Sequence, residues 1–214
     1  MNPKAVIFDV GGVLVESPFL AVISWAEDWD IPFDLLIKIF GQYSQSASRD
    51  QKPPLWHDVE CGRLALSEFM SEMRKIFVND LPPEHKARGI ETSDFDLFAR
   101  TNPVDVMIDL SDEVRASGID TAILTNNIRE WSHWRAKVPV DSFDVVVDSC
   151  EVGVRKPDQE IYLLACERLN LSPVDCLFLD DHIENVAAAK AMGMDAILVT
   201  EDVNAAASSV RDRF

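Results

Sequence analysis

The chain has 214 residues, 47 % of them apolar and 27 % charged, an ordinary globular composition that excludes a disordered or fibrous protein. Lys and Arg number 20 against 37 Asp and Glu, leaving a formal charge of -17. A nucleic-acid backbone would be repelled on average, so no nucleic-acid partner is expected, although a local basic pocket can still hold a small anion.

The N-terminal residues run at once into Ala5–Val6–Ile7–Phe8, an apolar run that ends in Asp9 and the glycines Gly11 and Gly12. No signal peptide is expected from this start, and no apolar run approaches the ~18 residues of a membrane span. The expectation is a cytoplasmic protein with no membrane partner. Residues 16–90 lack strand-like alternation. Helical stretches at about 18–29, 32–41, 54–61 and 67–79 predict a helical-bundle cap inserted after the first strand. Trp25, Trp29 and Phe33 read as its core or its stem, and the break at Cys61–Gly62 places Arg63 where it can reach a pocket mouth.

From about residue 100 the pattern changes. A helix over 103–117, stopped by Gly118, precedes the apolar run Thr121–Leu124, which ends in Thr125, Asn126 and Asn127. Ile128, Trp131 and Trp134 suggest a short helix packed on the body, or an aromatic wall of the pocket. Val145–Val147 is the next apolar run, followed by Lys156 and a helix over 157–169. Cys176–Leu179 leads into Asp180 and Asp181, then a helix over 183–192, the run Ala196–Val199 and a last amphipathic helix within 202–214. Short apolar runs alternating with helices predict an α/β fold, a doubly wound (Rossmann-like) parallel sheet. Residues 1–15 and 91–214 would form that core and residues 16–90 the cap. The four cysteines, Cys61, Cys150, Cys166 and Cys176, have no zinc-ligand spacing and read as buried thiols.

Polar residues gather at the C-terminal ends of the apolar runs, which share one edge in an open parallel sheet, the edge where ligands bind. Asp9, Thr125 with Asn126, Asp180 with Asp181, and Lys156 therefore converge. Carboxylates from separate strands suit a hard cation such as Mg2+, and a carboxylate can also attack phosphorus. Two anions repel unless charge is supplied, which Mg2+ and Lys156 would do from opposite sides, while Thr125 donates to a phosphoryl oxygen. Free N–H groups around Gly11, Gly12 and Asn126 would add an anion-binding nest.

FDVGGVL at 8–14, ILTNN at 123–127, VRKP at 154–157 and FLDD at 178–181 together resemble the four motifs of the haloacid dehalogenase-like hydrolases. The resemblance spans nearly the whole chain. DSCEVGVRKPDQEIY and FLDDHIEN are especially similar to the branch with the phosphatase domain of soluble epoxide hydrolases and a bacterial sugar-1-phosphate phosphatase. It implies strand order 5-4-1-2-3, a helical cap of the first type, and Asp9 as a nucleophile that becomes an aspartyl-phosphate. It further implies that Thr125 orients the phosphoryl group, that Lys156 holds nucleophile and phosphate, and that Asp181 ligates Mg2+ directly. Asp180 would be a second or water-mediated ligand, the Gly11 carbonyl a third, and Asn185 would orient Asp181 from behind. Gly12, Asn126, Asn127 and Arg63 are the expected substrate contacts, and the substrate a small-molecule phosphate.

One position departs from the pattern. Family phosphatases mostly carry an acid/base aspartate two residues after the nucleophile, and here that residue is Gly11, which also permits an unusual backbone angle. General acid–base help is worth roughly 10²–10⁴ in rate. Three readings follow: a phosphatase, a weakly active or non-catalytic binding protein, and a 2-haloacid dehalogenase. His182 could sit at the pocket mouth, Arg129 could reach an anionic substrate, and Arg155 is expected in a surface ion pair. The chain would be a monomer or a homodimer.

Overall fold

The computed structural model describes residues 2–40 and 54–214, with Phe19 by its backbone alone. Residues 41–53, part of the expected cap and including the end of the expected 32–41 helix, lie outside the described residues. The sheet has five parallel strands, β1 (Ala5–Phe8), β2 (Asp120–Thr125), β3 (Val145–Asp148), β4 (Cys176–Asp180) and β5 (Asp195–Leu198). Their order across the sheet is β3-β2-β1-β4-β5, the expected 5-4-1-2-3 read from the other edge. Phe8 stands level with Ile123 on one side and Leu179 on the other, and Thr125 stands level with Asp148.

Alternation along the strands explains the two faces. Val6, Phe8, Ile123, Leu177 and Leu179 face α5 (Asp105–Ala116) and α9 (Val203–Arg211). Ala5, Ile7, Ala122, Leu124 and Phe178 face α7 (Gln159–Leu169) and α8 (Ile183–Ala191). Both faces of the central strands are thus covered, which is why those runs are continuously apolar rather than alternating. All four cysteines are buried and unbridged, Cys150 on the one-turn helix α6 (Ser149–Val152).

Between β1 and β2 come α1 (Pro18–Asp28), α2 (Phe33–Phe40), α3 (Leu55–Glu60) and α4 (Leu66–Asp80), then three short 3-10 turns between residues 86 and 100. Trp25 lies in the interior of this helical insertion, 4.7 Å from Phe95 in an edge-on ring contact. Phe33 does not: it is 63 % exposed, because α2 turns Leu35, Leu36 and Ile39 inward instead. The insertion leaves and rejoins the body side by side. Val104 N–H donates to the Leu14 carbonyl, Glu16 N–H to the Asn102 carbonyl, and the Glu16 carboxylate accepts from both Asn102 N (2.9 Å) and Nδ2 (3.0 Å). Among the described residues no helix is long and apolar enough to cross a membrane.

Candidate active site at the carboxyl edge of the sheet

Each central strand delivers one polar group to the same edge. Asp9 follows β1, Thr125 ends β2 and Asp180 ends β4, all of them buried. Lys156 comes from the loop beyond β3 and is also fully buried, a position such a side chain occupies only when its charge is met. Its Nζ donates to Asp9 Oδ1 at 2.8 Å, to Asp180 Oδ2 at 2.7 Å and to the Leu124 carbonyl at 2.9 Å. The Val10 N–H also bonds Asp9 Oδ1 (2.7 Å), so both contacts on this carboxylate fall on a single oxygen.

Two carboxylates around one ammonium leave excess negative charge. Burial pushes the Asp9 carboxyl up to about 8; Lys156 opposes the shift, while Asp180 and Asp181 add to it. Burial alone would lower Lys156, but the Asp180 and Asp9 carboxylates outweigh it and hold the ammonium above its usual value. Asp181 is raised as well, by burial first and Asp180 second, with His182 and Lys156 opposing. Oxygens of Asp9, Asp180 and Asp181 lie within 4.8 Å of one another, an all-oxygen donor set of the kind a hard divalent cation takes. Gly12 keeps this cluster open. With φ +73°, a Cβ there would stand 2.2 Å from Asp181 Oδ2. A cleft of about 560 Å³ opens beside the cluster, lined by Gly12, Ser17, Leu20, Asp181 and Thr200 among others.

A family model described as haloacid dehalogenase-like hydrolase matches residues 3–193, which takes in Asp9, Thr125, Lys156, Asp180 and Asp181. The chain belongs to that family. Among curated relatives, this hydrolase is 32 % identical to mouse (Mus musculus) Acyl-CoA dehydrogenase family member 10, over 92 % of the chain and 18 % of the relative. It is 33 % identical to Bifunctional epoxide hydrolase 2 of Rattus norvegicus, over 96 % of the chain and 38 % of the relative. The hydrolase chain therefore spans less than two fifths of either protein. Phosphatase MT3486 of Mycobacterium tuberculosis is matched nearly end to end, at 29 % identity over 99 % of this chain and 94 % of that one. The fold superimposes with TM-score 0.66 on the HAD family enzyme bt-2542 of Bacteroides thetaiotaomicron, a complex with magnesium and inorganic phosphate. Identity there is 19 %, over 92 % of this chain and 93 % of that one.

Several side chains of the hydrolase sit differently from expectation. Asn185, expected behind Asp181, bonds both oxygens of Asp180 (3.0 and 3.1 Å). Successive strand-end residues point to opposite sides, and Asp180 is the one turned inward toward α8. Asn127 turns its side chain away to Asp148 (2.9 Å), and its N–H donates to Ser149 Oγ, so neither group is presented to a substrate. Asn126 clips the Lys156 loop: its Nδ2 donates to the Lys156 carbonyl, and Lys156 N–H donates to its Oδ1. Arg63 commits Nε to Asp58 and Nη1 to the Gly153 carbonyl at the rim of the insertion. Arg155 is indeed in an ion pair, but with the buried Glu60 and itself partly buried, because the insertion packs over it. Gly12 rather than Gly11 takes the positive φ. Trp131 and Trp134 are buried as expected, Trp134 on a 3-10 turn over His133–Ala136 and Trp131 just ahead of it. Trp131 also joins the aromatic cluster with Trp56, Phe95 and Phe98.

Sequence reading missed Asp148 and Glu60. Asp148 accepts from Asn127, Cys150 N–H and Arg135, and it follows an apolar run just as Asp9 and Asp180 do, a signal that was available. Glu60 is one acid within a short helix, and nothing in its spacing sets it apart.

Proposed function

We propose that this hydrolase is a Mg2+-dependent phosphatase acting on a small phosphomonoester through an aspartyl-phosphate on Asp9. The observation that carries the reading is the buried Asp9–Lys156–Asp180 cluster with Asp181 beside it. The nearly end-to-end match to Phosphatase MT3486 and likeness to a fold that holds magnesium and phosphate support it. The 33 % identity to an epoxide hydrolase supports the branch that the motifs resemble.

Asp9, Asp181 and the Gly11 carbonyl would hold the ion. Asp180, whose oxygens already accept from Lys156, Asn185 and the His182 N–H, would act on it at one remove. When bound, Mg2+ neutralises phosphate charge facing the nucleophile. Asp9 Oδ2, the oxygen that neither Lys156 nor Val10 holds, attacks phosphorus as the bond to the leaving oxygen breaks. Water then cleaves the acyl phosphate, releasing inorganic phosphate and restoring the carboxylate. Lys156 holds Asp9 in place and offsets charge, Thr125 donates to a phosphoryl oxygen, and Gly12 and Asn126 frame the group. Arg63, at the rim, is assigned to the far part of the substrate. Residues 1–15 and 91–214 act as the catalytic body and 16–90 as its cap.

No acid stands two residues after Asp9, and a Cβ on Gly11 would lie 2.7 Å from Pro18 Cδ. The proline ring fills that space, so departure must rely on a stable leaving group: aryl, acyl or anomeric phosphates over alkyl ones. The test is burst kinetics on p-nitrophenyl phosphate with and without Mg2+, with Asp9→Asn as the control. A Mg2+-dependent burst absent from Asp9→Asn supports the reading. Mg2+ binding without turnover at any pH would establish a binding protein, and metal-independent halide release from a 2-haloacid a dehalogenase.

A further inference from the structure

Of the polar contacts between the inserted helices and the body, the seam around Glu60 leads to the site. Glu60, at the end of α3, is buried, with Oε1 accepting from Trp56 Nε1 (3.0 Å) and Oε2 from Arg155 Nε (2.6 Å). Its main-chain carbonyl accepts from Ser149 Oγ at 2.6 Å. Arg155 is covalently next to Lys156, and Ser149 Oγ in turn accepts from Asn127 N–H at 2.9 Å. Asn126, between Thr125 and Asn127, clips both main-chain groups of Lys156. One residue of the insertion is therefore tied to both loops that carry phosphate-facing groups, by its carboxylate to Arg155 and by its main-chain carbonyl to Ser149.

Two further observations show that the seam is close-fitting. A Cβ on Gly62, φ +64°, would stand 2.4 Å from the Cys150 carbonyl, so the turn after α3 lies directly on the loop after β3. Leu66 N–H reaches Glu130 Oε1, and Arg63 reaches the Gly153 carbonyl, both at 3.1 Å. An ion pair with a buried member contributes little net stability over an apolar pair of the same size, but it does fix geometry, since removing Arg155 strands the buried Glu60 charge.

We infer that Glu60 is a positioning residue: its pairing with Arg155 couples the seating of the insertion to the placement of Lys156 and Asn126. When the insertion lifts, the Arg155 and Ser149 contacts are lost together and both loops loosen. When it seats, they are set for the phosphoryl group. The inference rests on the phosphatase reading for what the loops bind, but not for the coupling itself.

Amide exchange on the full chain tests the coupling without turnover. In Glu60→Gln, exchange at the Asn127 and Lys156 amides should rise about tenfold, beyond any general rise across the strands. Arg155→Lys, which keeps the charge, should restore most of the protection that Arg155→Gln loses. Glu113→Gln, which breaks a remote ion pair with Arg211, should change neither amide. Calorimetry with inorganic phosphate in Mg2+ should show affinity about tenfold weaker in Glu60→Gln, the scale of losing an outer-shell support, with Mg2+ affinity unchanged. On p-nitrophenyl phosphate kcat should fall more than KM rises. Should Glu60→Gln not fold, Arg155→Gln against Arg155→Lys carries the same comparison. Unchanged exchange at both amides, or a rise shared equally by every strand, overturns the inference. A wild-type chain that neither binds phosphate nor turns over esters instead sinks the phosphatase reading, and exchange still decides the coupling.

Discussion

Gly12→Ala is the sharpest probe of the carboxylate cluster, because it places one methyl group against one candidate ligand. At φ +73° an alanine adopts the left-handed region, which costs roughly 1–2 kcal/mol for an L residue. The new Cβ also lies 2.2 Å from Asp181 Oδ2 and 2.8 Å from Asp181 Cβ. Ordinary carbon contacts lie at about 3.5–4.0 Å, so rotating the carboxylate aside relieves the first clash but not the second. The backbone after β4 must yield, an overpacking cost of about 1–3 kcal/mol. The sum, about 2–5 kcal/mol, corresponds to a melting temperature lower by roughly 4–20 °C in a chain of this size. Ligand positions in a metal site tolerate shifts of only about 0.2 Å, so Mg2+ affinity should fall much further than stability, by at least roughly tenfold. Thermal melts with and without Mg2+, together with calorimetric titration, read both effects. A variant that melts within about 1 °C of wild type and binds Mg2+ equally well would refute the close approach of Gly12 to Asp181.

Other expectations are checked more simply. Asp181→Ala should lose most Mg2+ binding by calorimetry while staying folded by circular dichroism; undiminished binding would place the ion elsewhere. Asp9→Asn should leave no turnover and no trapped phosphoenzyme, and residual activity at wild-type rate would remove Asp9 as nucleophile. Against matched esters, kcat/KM should fall steeply as the leaving group becomes more basic, and equal rates on aryl and alkyl phosphates would mean a proton donor has been overlooked. His57 is pushed down to about 4 from 6.5, by burial first and then by Arg155. The unfolded chain therefore takes up its proton at higher pH than the folded one. This contribution to stability is complete above pH 6.5 and is lost as pH falls toward 4. His57→Gln should accordingly show a smaller drop in melting temperature between neutral and acid pH than wild type; equal drops would discount the buried imidazole.

What was legible in the sequence was what periodicity and chain position can carry. Ala5–Phe8 and Cys176–Asp180 are continuously apolar because helices cover both faces, and their terminal aspartates follow from where a parallel strand ends. Side-chain direction was harder. Asp180 and Asp181 are adjacent, and only the register of β4 decides which one meets Asn185 and Lys156. Phe33 looked like core because it is large and apolar, yet the face of α2 is set by Leu35, Leu36 and Ile39. Arg155 read as surface because nothing local announces that a helix 95 residues earlier in the chain will cover it. Contacts between distant segments leave no periodic trace, and the coupling through Glu60 is of that kind.

The stitched entrance and exit at Glu16 and Asn102 bear on how such a protein can diversify. Two chain ends held one hydrogen bond apart have already met the entropic cost of closing the loop between them. That cost grows only as the logarithm of loop length, so doubling the intervening segment adds about 0.6 kcal/mol. Length and content between residues 17 and 101 can therefore change with little penalty to the sheet. The stem works as a socket, in which one helical module can be exchanged for another while the strand-end carboxylates keep their register.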